Sequence, residues 1–291
     1  MTPAEVLKQY WGYDSFRECQ AEIIDSVLKG KDTIGLMPTG GGKSVTFQVP
    51  ALIFPGLTLV VTPLISLMKD QVDNLRRHDI LAGCLNSSMT RHETRVTLDR
   101  LELGKIKLLY VSPEKLCRPE FIALLTTYNI SLIVVDEAHC ISQWGYDFRP
   151  SYLKISELRK HLPDVPVLAL TATATPAVVT DIADKLLMKQ PVIFRRSFSR
   201  DNISYIVRRC EVKEEMLAHI LRNTAGSAIV YVRSRRRTAL IAGMLANQGI
   251  QSQFYHAGLA PEDKTARQDE WMEGRVRVMV ATNAFGMGID L

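Results

Sequence analysis

Short runs that are almost unbroken in valine, isoleucine and leucine recur along the chain, and they limit the fold more than any other feature. They are DTIGLM (32–37), LTLVVT (57–62), IKLLYV (106–111), LIVVD (132–136), VPVLALTA (165–172), SAIVYV (227–232), SQFYH (252–256) and VRVMVA (276–281). A strand with one wet face alternates apolar and polar residues. A run that is apolar at nearly every position has both faces covered, as in a parallel sheet under helices. Amphipathic stretches fall between the runs and supply the crossovers. One is Ser234 to Asn247, with Leu240, Ile241, Met244 and Leu245 expected on the inner face and Gly249 as its stop. The pattern is α/β.

A chain of 291 residues exceeds what one core usually serves. The stretch FRRSFSRDN (194–202) is polar and basic and lacks apolar periodicity, so a linker is expected there. It separates a first domain, 1–198, from a second, 199–291. The second has few strand runs and reads as an incomplete sheet. The net charge of +5 permits a nucleic-acid partner without arguing for one. The cysteines are Cys19, Cys84, Cys117, Cys140 and Cys210, with no C-x-x-C pair. Neither zinc nor a disulfide framework is expected, and a reduced cytoplasmic setting fits best. The N-terminus MTPAEVLKQY lacks a secretory pattern. ALIFPGLTLVV is broken by Pro55 and Gly56 and too short to span a bilayer, so no membrane partner is expected.

MPTGGGKS (37–44) follows one of the buried runs. Glycines in such a loop let backbone N–H groups turn inward onto phosphate oxygens. Lys43 would reach the β- and γ-phosphates, and the Ser44 hydroxyl would ligate Mg²⁺. The general pattern begins with glycine, and here Met37 stands in that place, so the match is a variant; the bland alternative is a glycine turn with a chance GKS.

Asp136 and Glu137 close the run LIVVD. Ligands of open α/β sheets sit beyond the carboxyl ends of strands. One acid there, facing the phosphate loop, can hold Mg²⁺ through water, and a second can orient and deprotonate an attacking water. A solvated acidic turn is the alternative. His139 by itself is as readily a capping or packing residue; within DEAH it gains a role as a γ-phosphate sensor. Trp144 and Phe148 follow, interleaved with Gly145, Asp147 and Arg149. That interleaving suits an exposed loop whose rings stack on bases, against the alternative of two core aromatics.

Together these motifs resemble a known family. MPTGGGKS, DEAH, ALTATA (169–174) and ATNAFGMGID (281–290) resemble motifs I, II, III and V of superfamily 2 helicases. GY (12–13) with FRECQ (16–20), DEAHCISQWGYDFRP (136–150) and YHAGL (255–259) are similar to the RecQ family of DNA helicases, and the likeness runs through the whole chain in order.

The resemblance implies two RecA-like parallel-sheet lobes of the P-loop NTPase type. ATP and Mg²⁺ would be held by Tyr13, Arg17, Gln20, Met37, Pro38, Thr39, Gly40, Gly41, Gly42, Lys43 and Ser44, with Gly288 and Asp290 approaching from the second lobe. Tyr13 and Arg17 would stack on adenine, while the Gln20 amide can donate to N7 and accept from N6 at once. Lys43, Asp136, Glu137 and His139 would act in catalysis, with Ser44 and Asp136 as metal ligands. Thr171 and Thr173 resemble the motif that links the γ-phosphate to lobe movement. DNA would lie on Pro63, Leu64, Trp144, Phe148, Arg149, Ser234, Arg235 and Thr282.

The implied activity is ATP-dependent 3′–5′ translocation and unwinding of DNA in repair and recombination, by a protein expected to be monomeric, cytoplasmic and, in a bacterium, nucleoid-associated. The family continues to a motif of pattern QExGRAGRDG whose arginines act as fingers on the γ-phosphate. The chain reaches Leu291 before such a motif, so the expectation for it alone is nucleotide binding with poor hydrolysis. A superfamily 2 RNA helicase and a non-catalytic nucleic-acid-binding module are the alternatives.

Overall fold

The computed structural model describes residues 1–38, 40–145, 147–196 and 203–285, with the backbone alone at Ser66 and Pro261. The chain divides into two compact units, Met1–Arg200 and Asp201–Leu291.

The first unit carries strands β1 (Thr33–Leu36), β2 (Leu57–Val61), β3 (Ala82–Leu85), β4 (Leu108–Val111), β5 (Ile130–Val135), β6 (Val167–Thr171) and β7 (Val192–Arg195). Its helices are α1 (Pro3–Trp11), α2 (Gln20–Leu28), α3 (Val45–Ile53), α4 (Ile65–Arg77), α5 (Arg91–Glu102), α6 (Pro119–Leu125), α7 (Ile155–His161) and α8 (Pro176–Lys185). Among the described residues the strands form one sheet in the order β3-β4-β2-β5-β6-β1-β7, every pairing parallel.

The apolar runs behave as doubly covered strands. Leu57, Leu59 and Val61 of β2 and Ile133 and Val135 of β5 pack on one face with Leu101, Ile122, Leu125, Leu158 and Ile182 from α5, α6, α7 and α8. Val60, Leu132 and Val134 point to the other face and meet Ile23, Phe47, Met68 and Val72 from α2, α3 and α4. Each such side chain taken out of water contributes about 1.5–3 kcal/mol.

Two strands lie where no run was read. β3 is short and contains Gly83, and β7 begins just before the region expected to be a linker and runs into it. Phe194 pairs with Gly35 of β1, and the Arg196 N–H donates to the Leu36 carbonyl. As an edge strand β7 buries only alternate residues in part, so it lacks the continuous apolar signature.

The second unit holds α9 (Lys213–Asn223), β8 (Ala228–Tyr231), α10 (Arg235–Asn247), β9 (Ser252–Tyr255), α11 (Pro261–Met272) and β10 (Val278–Ala281). Its described strands order as β8-β10-β9, all parallel. α9 and α10 cover one face through Leu221, Ile241 and Leu245. Trp271 and Phe285 pack edge-to-face on the other, beside Tyr255 and Met279. α10 runs as expected, with Ser234 as its N-cap, but Leu240 is turned outward, 60% exposed. Its neighbour Ile241 takes the inner position, because a helical face advances by three or four residues and cannot include two consecutive ones equally.

Candidate nucleotide and nucleic-acid site

Strand order decides which of the candidate residues meet. β6 lies between β1, which feeds the phosphate loop, and β5, which feeds the acids; β2 flanks β5 on its other side. Loops leaving the carboxyl ends of these strands therefore converge.

The phosphate loop is built on left-handed glycines. Gly40 and Gly42 have φ of +74° and +73°, a region costly for any residue with a Cβ. Gly41 donates its N–H to the Pro38 carbonyl at 3.0 Å. The Met37 side chain is buried in the core, and its N–H donates to the Thr171 carbonyl at 3.1 Å. Thr39 lies outside the described residues.

Two of the three expected adenine residues, Arg17 and Gln20, touch this loop. Gln20 accepts from the Arg17 N–H at 2.8 Å, and its amide nitrogen donates to the Gly42 carbonyl at 2.9 Å. Arg17 Nη1 donates to the Gly40 carbonyl at 3.2 Å. Tyr13 is 54% exposed. FRECQ is thus a turn entering α2 at Gln20.

Asp136 follows the last residue of β5, and Glu137 adopts φ +46° and ψ +46°. Adjacent residues of a strand point to opposite faces, and that left-handed turn at the strand's exit brings Glu137 to the side of Lys43. Glu137 Oε1 lies 3.8 Å from Lys43 Nζ, and Oε2 lies 3.3 Å from His139 Nδ1. His139 Nδ1 is also 2.8 Å from Thr171 Oγ1 at the end of β6. Asp136 accepts from the Thr62 hydroxyl of the β2 exit at 3.3 Å and from the Glu137 N–H at 3.0 Å.

The two carboxyls are pushed in opposite directions. Burial, then the Glu137 charge beside it, raises Asp136 to about 6. For Glu137 burial also acts upward, but the His139 hydrogen bond and the Lys43 charge outweigh it and hold the group below its usual range. A half-buried carboxylate beside a second carboxylate suits a cation. The Ser44 hydroxyl caps nothing and makes no hydrogen bond among the described residues. One carboxylate and one free hydroxyl are the hard oxygen donors that Mg²⁺ prefers, so these residues fit the metal.

The aromatic loop continues from this turn. Trp144 is 79% exposed, while Phe148 and Arg149 are half-buried. Gly145 has no room for a side chain: a Cβ there would stand 2.3 Å from the His139 carbonyl oxygen. Ser142 ties the loop's start to α8 through Asp181 at 2.6 Å, and Lys185 pairs with the same acid at 2.8 Å. Arg149 pairs with Asp147 at 2.8 Å and donates to the Pro63 carbonyl at 3.3 Å, which brings two of the expected DNA residues, Arg149 and Pro63, together. Leu64 is the N-cap of α4 and has no side-chain acceptor to offer, so first-turn N–H groups are left for an anion.

In the second unit the Ser234 hydroxyl accepts from the Arg237 N–H at 3.2 Å, capping α10, and Arg235 begins the helix. Thr282 follows β10 and donates its N–H to the Tyr255 carbonyl at 3.2 Å. Gly288 and Asp290 lie outside the described residues.

Sequence reading missed Thr62, Tyr152 and the buried pair Asp32–Arg159. Thr62 was within reach, since it stands one residue before Pro63 at the exit of the strand that pairs with β5. Tyr152 and Arg159 gave no local signal, because their partners come from distant segments.

Residues 17–182 match the sequence pattern of the family described as DEAD/DEAH box helicase. The chain belongs to that family. Residues 212–291 match the helicase conserved C-terminal domain, so both halves of a DEAD/DEAH box core are accounted for by sequence. The ATP-dependent DNA helicase RecQ of Pasteurella multocida is 46% identical over 290 residues, covering 99% of this chain and 46% of that protein. The chain thus spans about half the length of the curated relatives it matches. Helicase Lhr of Mycobacterium smegmatis, solved bound to ssDNA and AMP-PNP, matches with a TM-score of 0.68 at 20% identity, over 98% of this chain and 42% of that one. Dbp5 of S. cerevisiae, solved bound to RNA and ADP BeF3, matches with a TM-score of 0.72 at 18% identity, over 98% and 75%. At these identities the structural likeness is one of fold: α/β, with parallel sheets in RecA-like lobes. The RecQ likeness read from the motifs holds along nearly the full sequence.

Proposed function

We propose that this chain is the nucleotide-hydrolysing, strand-gripping core of a 3′–5′ DNA helicase of the RecQ kind. The observation that carries this reading is the continuity of one backbone segment. It sets Glu137 between Lys43 and His139 and, a few residues on, exposes Trp144 at the surface.

ATP is the substrate. The phosphate loop's N–H groups and Lys43 bind its phosphates, with Gln20, Arg17 and Tyr13 on the adenine. Ser44 and Asp136 would hold Mg²⁺, which when bound neutralises charge on the β- and γ-phosphates. Glu137, held ionised, orients a water molecule and accepts its proton as the water oxygen attacks the γ-phosphorus. The bond to the bridging oxygen breaks, leaving ADP and phosphate. His139 holds Glu137 in place and contacts Thr171, so the state of the γ-phosphate is passed to the β6 exit.

Single-stranded DNA would lie on Trp144, Phe148, Arg149, Pro63 and Leu64, with Ser234, Arg235 and Thr282 as the second unit's share. Aromatic stacking is sequence-tolerant, as a translocating enzyme requires. Repair and recombination are the processes we infer, from the likeness to RecQ. The five free cysteines fit a reduced, cytoplasmic setting, and nucleoid association in a bacterium is inferred from the likeness to RecQ alone. Among the described residues no helix is long and apolar enough to cross a membrane.

The test is strand preference. ATP hydrolysis by the full-length protein should rise on adding single-stranded DNA. Stimulation by RNA alone would move the assignment to the RNA helicases, and binding without hydrolysis would make it a non-catalytic module.

A further inference from the structure

The geometry points to Tyr152 as a positioning residue that bolts the aromatic loop to the main chain of the acid pair, so that strand occupancy of the loop resets the peptide between Asp136 and Glu137. The inference rests on the helicase reading above and names the atoms through which its two sites communicate.

Tyr152 lies in a short 3₁₀ turn, Pro150–Lys154, directly after the aromatic loop. Its side chain is wholly buried, and its hydroxyl donates to the Asp136 carbonyl oxygen at 2.9 Å. That carbonyl belongs to the peptide entering Glu137, the residue held in the left-handed region at φ +46°. A residue with a Cβ keeps such a conformation only where its surroundings enforce it. The enforcing bonds are few. They are the Tyr152 hydroxyl on the Asp136 carbonyl, the Glu137 N–H on Asp136 Oδ1 at 3.0 Å, and the Cys140 N–H on the Glu137 carbonyl at 2.9 Å. Release of the first frees the peptide to rotate, and with it the direction of both carboxylates.

The other end of the bolt is the DNA-facing loop. The Tyr152 N–H donates to the Arg149 carbonyl at 2.9 Å, and the Arg149 N–H donates to the Cys140 carbonyl at 2.8 Å. The Arg149 guanidinium is shared between Asp147 and the Pro63 carbonyl. A phosphate engaging that guanidinium competes with both, and the Arg149 backbone is one hydrogen bond from Tyr152. A buried hydroxyl that loses its acceptor carries a full desolvation penalty, so the Asp136 carbonyl follows the turn or the turn stays where it is. Motion at Arg149 and orientation at Glu137 are therefore a single coordinate.

Tyr152→Phe in the full-length protein keeps the ring and removes only the hydroxyl. The expected result is a fall of about tenfold in the ratio of DNA-stimulated to basal ATP hydrolysis, with affinities for a labelled single strand and for ADP staying within about twofold. A ratio equal to that of the wild type overturns the proposal, as does a loss that merely tracks a loss of strand affinity. Amide hydrogen exchange in the wild type gives an arm independent of the variant's folding: adding single-stranded DNA should change exchange at residues 137–142, and no change overturns the link. A wild-type protein that DNA does not stimulate at all overturns the helicase reading itself, and this inference with it.

Discussion

His139 Nδ1 and Thr171 Oγ1 stand 2.8 Å apart, joining the segment after β5 to the exit of β6. Thr171 also receives the Thr173 N–H at 3.2 Å, so the imidazole, the hydroxyl and the following turn form one chain of contacts. Thr171→Val keeps the shape and removes the hydroxyl. DNA-stimulated ATP hydrolysis should survive within about threefold, while strand separation of a tailed duplex falls about tenfold or more. Equal losses in both assays would place Thr171 in catalysis and not in coupling.

Lys43 and Glu137 should part company in binding experiments. Lys43→Ala removes the charge facing the phosphates and should weaken ADP binding. Glu137→Gln should leave nucleotide affinity within about threefold yet lower the turnover rate by about 10²–10⁴, the usual contribution of a positioned base. Isothermal titration and steady-state turnover separate the two.

Gly42→Ala should damage the phosphate loop without harming the core. Its φ of +73° disfavours any Cβ, and a Cβ there would stand 2.4 Å from the Gln20 amide nitrogen. Nucleotide affinity should fall about tenfold or more, roughly the energy of one left-handed residue, while the melting temperature holds. An affinity equal to the wild type would show that the loop rearranges freely.

Asp32 and Arg159 test the scaffold beneath the site. The pair is almost wholly buried, with Nη2 to Oδ2 at 3.0 Å, and Asp32 also receives the Val167 N–H at 2.8 Å and the Lys189 N–H at 2.6 Å. It therefore fastens β1, β6 and the turn before β7 at the end of the sheet opposite Lys43 and Glu137. Arg159→Ala leaves a buried carboxylate without its counter-charge and should cost about 3–5 kcal/mol in urea unfolding.

The doubly covered strands were legible because burial on both faces demands an unbroken apolar run, as in LTLVV and LIVV. The edges were not: β7 exposes Ile193 and Arg195, and β3, although buried, is four residues long with Gly83 packed against Ile106, so neither carries a long apolar run. At the site, GGGKS and DEAH are local motifs whose chemistry can be read from residue type. The contacts that orient them are not local. Gln20 on Gly42, Thr62 on Asp136 and Tyr152 on the Asp136 carbonyl depend on strand order, which periodicity does not contain. Leu240 shows the same limit on a smaller scale, since pattern alone placed it on the face that Ile241 takes.

The central claim is that the acids and the aromatics of residues 136–149 act as one element. The most direct measurement is ATP hydrolysis by full-length Trp144→Ala, with and without single-stranded DNA. Loss of a stacking platform should weaken strand binding by about 1–3 kcal/mol. At saturating DNA the stimulated rate should still fall well below that of the wild type while the basal rate is kept. Equal loss of basal and stimulated rates would show that Trp144 serves packing alone, and full stimulation at saturating DNA would show that the loop binds the strand without informing the acids.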